Sequence, residues 1–274
     1  FYRDVTLSYL LSLICIPGIV GNGIVIISLG FYIKRNSFIV YILNLSMADS
    51  GTLLFLFVSG ILIPTRRFSL ELTQCLIFTY CTGQFLLTII SIDGCLALFF
   101  PIWHRCHQPS YLSTTLCAFS WIASPLLCVI NYALFQDELY EICVPLMVAS
   151  SLAPFIKGYL KSQMKRQRKL LKAILLALFF FLICSIPPCV IYLKDVLFKH
   201  IIERYGNLIT CGYLCPCLNS SVNPLIYFLL GRKKEYNTMC NLKVNLQRLF
   251  KEEEESEEQP GVILFPVSLS TCQK

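Results

Sequence analysis

The sequence predicts an all-α integral membrane protein: a seven-transmembrane helix bundle with a short amphipathic membrane-surface helix after the seventh span. Three observations carry that expectation. The first is composition. The 274 residues are 56% hydrophobic and 14% charged, with a mean hydropathy of +0.66. A soluble domain is typically about 45–50% apolar and about 25% charged, so this chain cannot cover its apolar surface in water. The second is segmentation. Crossing the hydrocarbon layer takes about 20 apolar residues in a helix, and apolar stretches lie near 8–33, 38–63, 74–101, 112–135, 140–160, 170–193 and 206–230. The third is the placing of basic residues. Lys34 and Arg35 follow the first span, and His104, Arg105 and His107 follow the third. Lys161, Lys165, Arg166, Arg168, Lys169 and Lys172 link the fifth and sixth, and Arg232, Lys233 and Lys234 follow the seventh. Basic loops stay in the cytoplasm, which puts the N-terminus outside and the C-terminus inside. Arg66, Arg67, Lys194, Lys199 and Arg204 fall on the outer side and form the smaller group. The net charge of +7 is thus a topology signal, and no nucleic-acid partner is expected.

Each span has a reason to be read as it is. The first contains Gly21-Asn22-Gly23, and the second places Asp49 deep within Leu43–Asp49. The third ends in Asp93-Gly94-Cys95, and the fourth carries Trp121 at its middle. The fifth is the weakest, shorter than the roughly 20 residues a span needs, with Glu138 and Glu141 near its outer end. The sixth holds Pro187, and the seventh ends in Asn223-Pro224-Leu225-Ile226-Tyr227. Proline inside a membrane helix removes a backbone hydrogen bond and bends the helix. The asparagine before it can satisfy the freed backbone group, and a tyrosine one turn later can swing on the bend. A bundle that switches between two packings needs such a feature; an enzyme has no general need of it.

Composition changes after Gly231. Residues 1–231 form the membrane domain, and 232–250 alternate basic and apolar residues at helical spacing. Such a helix lies on the membrane with Lys and Arg facing anionic lipid. Residues 251–274 form an acidic, solvated cytoplasmic tail that opens with Glu252–Glu258. Most of the fifteen cysteines fall inside spans and serve as small apolar residues. Cys211 and Cys215, one turn apart, have no His or carboxylate beside them, which favours packing over metal binding. Cys240 is a palmitoylation candidate on the surface helix. The sequons at Asn44 and Asn219 lie within spans and should escape glycosylation.

Asp49 is the principal candidate for function, because ionisable groups inside spans are costly and mark functional sites by default. Asn22, Asn219, Ser220 and Asn223 could complete a polar cluster around it. A carboxylate with neutral oxygens suits a small hard cation such as sodium. The plainer reading is a cluster that holds helices together by hydrogen bonds.

Asn22 in Gly21-Asn22-Gly23, Asp49, Trp121 and Asn223-Pro224-x-x-Tyr227 occur in the order found in rhodopsin-like G-protein-coupled receptors, and the resemblance spans nearly the whole chain. Phe100–Pro109, Asn219–Pro224, Leu242-Lys243-Val244 and Pro187 with no preceding Trp narrow it to the Mas and Mas-related receptors. The resemblance implies a plasma-membrane receptor that takes an extracellular peptide or small molecule and opens a cytoplasmic cleft to a heterotrimeric G protein. Sodium would then be an allosteric ion at Asp49. Asp93, Gly94, Pro187, Pro224 and Tyr227 would occupy the activation motifs, and Pro101, Ile102 and Arg105 the G-protein-facing loop.

Three departures accompany the match. Gly94 stands where the family has arginine, so no guanidinium is available there. The outer half of the fifth span is short. Asn131 stands where some Mas-related receptors place an acid, leaving Asp137, Glu138, Glu141 and Asp195 as the outer negative charges. Ser69 lies near the usual place of the bridging cysteine, with Cys75 and Cys143 a remote substitute pair. The first two departures motivate a rival reading, a receptor-like protein that does not signal. A transporter or channel would call for several intramembrane charges or related halves, and an intramembrane enzyme for an Asp pair, His-Glu-x-x-His or Gly-x-Ser-Gly. The sequence displays none of these.

Overall fold

In lipid a lone segment can satisfy its backbone only by closing its own hydrogen bonds, so apolar stretches of this length become helices. The computed structural model describes residues 2–31, 36–65, 70–99, 109, 111–135, 176–177, 179–180, 183–184 and 205–231. Its long helices are α1 (Tyr2–Phe31), α2 (Ser37–Leu62), α3 (Leu70–Phe99), α4 (Leu112–Phe135) and α5 (Tyr205–Gly231). A 3₁₀ turn, Ile63–Thr65, extends α2. There is no strand among the described residues. Asp4–Phe31, Ser37–Thr65 and Leu70–Gly94 are long and apolar enough to cross a membrane, and α4 adds the shorter apolar run Leu112–Leu126. The helix expected at 206–230 is present as α5, but it carries the polar run Asn219–Asn223 and is not among those three. The fifth expected span lies outside the described residues. Of the sixth, Leu176, Ala177, Phe179, Phe180, Ile183 and Cys184 are described and helical.

The polar residues of these helices are mostly satisfied locally. Asn36 caps α2 by accepting a hydrogen bond from the Ile39 amide at 2.8 Å. The hydroxyls of Ser50, Thr52, Thr82, Ser91 and Ser120 each donate to the carbonyl four residues back. That pattern lets a hydroxyl sit in an apolar helix without a partner on another.

Contacts between helices fix their directions. Leu11 meets Gly60 and Gly18 meets Leu53, so α1 and α2 are antiparallel. Gly51 meets Thr79 and Gly83 meets Leu45 and Asp49, so α2 and α3 are antiparallel as well. Gly18 meets Ser221 and Gly21 meets Pro224, so α1 and α5 run parallel along a shared seam.

The core falls into two apolar clusters. One contains Leu7, Leu11, Cys15, Leu53, Leu56, Ile63 and Cys217. The other includes Val25, Leu29, Tyr41, Leu45, Ala48, Leu86, Ile90, Ile226 and Tyr227, with Trp121, Leu176 and Phe180 packed against it. Between them lies a belt that is polar on three helices. Asn22 occupies it on α1, Asp49 on α2, and Asn219, Ser220 and Asn223 on α5, all buried.

Close packing of α1 depends on Gly18. A Cβ there would stand 2.8 Å from Leu53 Cδ1 and 2.9 Å from Ser221 Cβ, closer than real Cβ atoms come. Gly18→Val should therefore push α1 from both neighbours and destabilise the fold by about 1–3 kcal/mol. A lower thermal unfolding midpoint in detergent is the expected result, with no such loss in the control Gly23→Ala, where an added Cβ meets nothing within 4 Å.

Candidate functional site

Pro224 sets the geometry of the belt. It has no N–H, so the carbonyl of Ser220, one turn earlier, loses its helical donor. Asn22 of α1 supplies the replacement. Its Nδ2 donates to Ser220 O at 3.0 Å and to Gly18 O in its own helix at 3.0 Å. The ring of Pro224 lies against Gly21, where a Cβ would come within 3.1 Å of Pro224 Cβ. Gly21 thus admits the proline ring while Asn22 satisfies the carbonyl that the proline exposes. The group that Asn223 could have satisfied is thus served from another helix.

Asn223 turns to α2 instead. Its Nδ2 donates to Asp49 Oδ2 at 2.7 Å. Asp49 is only 2% exposed. The Ser220 hydroxyl faces the same carboxylate without forming a direct hydrogen bond. On the α3 side, a Cβ on Gly83 would stand 3.5 Å from Asp49 Oδ1. Tyr227 is buried near enough to sense the charge of Asp49. Asn219 is buried one turn before Asn223. The structure thus brings Asn22, Asp49, Ser220 and Asn223 together, with Asn219 on the same helix.

Several buried oxygens of this region have no hydrogen-bond partner: Asn22 Oδ1, Ser220 Oγ and Ser46 Oγ. A carboxylate beside uncommitted neutral oxygens is a donor set that fits a small hard cation. Among the described residues no group of three or more His, Cys, Asp or Glu could hold a metal. Ser46 and Gly83 were not foreseen from sequence. Ser46 is three residues before Asp49, and that spacing puts both on one face of α2. Gly83 has no such signal, because its position against Asp49 depends on how α3 is registered on α2.

A second polar link ties three helices. Trp121 Nε1 of α4 donates to Asn44 Oδ1 of α2 at 3.0 Å, while Asn44 Nδ2 donates to Val40 O. The Trp121 ring meets Phe78 of α3 edge-on, with centroids 5.7 Å apart. The sequon asparagine Asn44 is therefore committed inside the bundle.

Of the activation-motif residues, Asp93 is buried near the end of α3, making a second buried acid besides Asp49. It lies within electrostatic range of the Tyr41 ring. Gly94 continues the helix and is buried. Asn131 lies in α4, and Cys75 is exposed on α3. Pro101, Ile102, Arg105, Asp137, Glu138, Glu141, Cys143, Pro187, Asp195 and Cys240 lie outside the described residues, as do 161–172 and 232–274.

Fold and belt together define a multi-pass helical membrane protein. No protein-family model matches the chain, but individual relatives do. It is 33% identical to the proto-oncogene Mas of Mus musculus over 272 residues, covering 89% of this chain and 83% of that protein. The Mas protein of Homo sapiens gives 33% over 264 residues, 86% of this chain and 80% of the other. The Mas-related G-protein coupled receptor member X1 of Homo sapiens gives 30% over 292 aligned positions, covering 95% and 88%. The chain belongs to the Mas and Mas-related family of G-protein-coupled receptors. Its relatives are receptors rather than enzymes, and with its apolar helices they make it a multi-pass protein of the plasma membrane.

The pairing of Asn22 with Pro224 is testable by a double-mutant cycle. Asn22→Leu strands the Ser220 carbonyl and should cost about 1–3 kcal/mol. Pro224→Ala restores an N–H to that carbonyl, so Asn22→Leu should cost less in its background. Coupling of about 0.5–3 kcal/mol is expected, read from thermal unfolding in detergent; strict additivity would reject the pairing. Separately, Trp121→Phe keeps a ring but strands Asn44 Oδ1, and a loss of about 1 kcal/mol is expected from the same measurement.

Proposed function

We propose that the chain is a seven-span receptor with its N-terminus outside and its C-terminus in the cytoplasm, passing the binding of an extracellular peptide or small molecule to a heterotrimeric G protein. The observation that carries this reading is the Asp49–Asn223 hydrogen bond, which joins α2 to the proline-bearing end of α5 in a polar belt between two apolar clusters. A ligand acts on such a bundle only by binding one packing better than another. The belt provides contacts that would differ between packings, because the Asn22–Ser220 and Asn223–Asp49 hydrogen bonds run between helices. Asp49, Asn22, Asn219, Ser220 and Asn223 form the central pocket, and Pro224 and Tyr227 serve activation, as Pro187 would in the sixth span. Pro101, Ile102 and Arg105 face the G protein. The basic segment 232–250 would bind anionic lipid, and palmitoylation of Cys240 would anchor it.

Sodium is the ion this pocket suits, with Asp49 as the charged ligand and the uncommitted oxygens of Asn22 and Ser220 as neutral ones. A bound cation neutralises the carboxylate and favours the packing that encloses it. Replacing choline chloride by sodium chloride at constant ionic strength should raise the unfolding midpoint of the parent and leave that of Asp49→Asn unmoved. Equal salt responses would remove sodium from the reading.

Gly94 supports a second reading, a receptor-like protein that does not activate G protein. Glycine offers no donor at the place where the family pattern carries arginine. Gly94→Arg should raise G-protein activation above the parent if this is the limiting defect. Equal activation by both would show that Gly94 is not limiting. Topology is tested by antibody labelling of intact cells, with the N-terminal tag accessible and the C-terminal tag reached only after permeabilisation.

A further inference from the structure

We propose that Cys15 and Cys217 form an oxidisable dithiol, which a membrane-soluble hydroperoxide converts to a disulfide joining the first helix to the last. This goes beyond the receptor reading and does not require it. The two Sγ atoms lie 3.3 Å apart across the α1–α5 seam, and both residues are fully buried. A disulfide brings the sulfurs to about 2.05 Å, so the approach still needed is small.

The two helices also approach closely nearby. One turn along the seam, the Cβ position of Gly18 is only 3.3 Å from Ser221 Cα. Each thiol also sits beside a gap in its own helical ladder. Pro17 follows Cys15 by two residues and deprives the Leu13 carbonyl of its donor, while Pro216 immediately precedes Cys217 and does the same for Gly212. These gaps ease the local shift that the bond requires.

The surroundings select the oxidant. The thiols lie in an apolar cluster with Leu11, Leu53 and Leu56. Their sequence neighbours Ile16 and Leu218 are 52% and 41% exposed on the outer face of the bundle. The short way to the sulfurs is therefore from lipid, across the α1 and α5 edges.

The chemistry balances without any further reagent. One thiol sulfur attacks the hydroperoxide, its S–O bond forming as the O–O bond breaks. The thiol proton passes to the departing alkoxide, which leaves as an alcohol, and the cysteine becomes a sulfenic acid. The second thiol attacks that sulfur, the S–S bond forms, and the sulfenic oxygen leaves as water with the second thiol's proton. Two thiols are oxidised by two electrons and one hydroperoxide is reduced to alcohol and water. The product fixes α1 to α5 beside the Asn22–Ser220 contact. In the receptor reading, it restrains movement of the last helix.

The test uses the full chain in native-membrane vesicles, with a protease recognition sequence inserted between Lys161 and Lys172. Vesicles receive cumene hydroperoxide, then N-ethylmaleimide, then protease, and non-reducing electrophoresis follows. The two fragments should stay joined in several-fold excess over untreated vesicles, separate on reduction, and separate without reduction in Cys15→Ser and in Cys217→Ser. Mass spectrometry of the unsubstituted chain should find the Cys15 and Cys217 peptides linked, which settles the matter should either variant misfold. Separation of the treated parent fragments, persistence of the joined species in both variants, or N-ethylmaleimide on both cysteines without the linked peptide would overturn the proposal. Hydrogen peroxide at equal concentration should give a several-fold lower yield, and an equal yield would overturn the lipid route. None of these readouts involves signalling, so their failure and the failure of the receptor reading are separable.

Discussion

A proline in a membrane helix leaves one carbonyl without a donor, and lipid offers no water to replace it. Much of the bundle's arrangement answers to that one group, the carbonyl of Ser220. Asn22 must lie beside it, which fixes the rotation and height of α1 on α5. Gly21 must be bare for the proline ring to fit. With Ser220 served from α1, Asn223 is free to donate to Asp49, and α2 is drawn into the same register. The apolar clusters on either side then fill space around a pattern that polar groups have already set.

The belt differs from the other polar residues of the bundle in how its groups are spent. Ser50, Thr52, Thr82, Ser91 and Ser120 each bond within their own helix. They neither join helices nor invite ligands. Asn22, Asn223 and the Trp121–Asn44 pair reach between helices, and Asn22, Ser46 and Ser220 retain oxygens with no partner. A buried group that is left uncommitted is costly, so the belt concentrates in a few residues the features that a switching protein uses.

Helices were legible because apolar length leaves no other structure in lipid. The expected 112–135 agrees with α4, and the other described helices match within a few residues at most of their ends. Asn22, Asp49 and Asn223 were legible because polar groups in spans are few. Their wiring was not. Local spacing suggested that Asn223 could serve its neighbouring proline, whereas the service comes from Asn22, 198 residues away from Ser220. Gly83 behind Asp49 and the Cys15–Cys217 contact were equally hidden, since both follow from registers between helices distant in sequence. Asp93 was noticed as a motif residue, but its burial beside Tyr41 emerged only with α2 and α3 in place.

The parallel seam between α1 and α5 has a consequence in time. The first helix enters the membrane with its asparagine unserved, and the carbonyl it must meet has not yet been made. At about 5–20 residues per second, translation takes roughly 10–40 s to cover that separation. Throughout this interval Asn22 has no native partner on another helix, and the groove beside Gly18 and Gly21 stands open to lipid and to other nascent helices. Biogenesis of the bundle is therefore ordered from its end, with the last helix acting as the keystone that lets the first one settle.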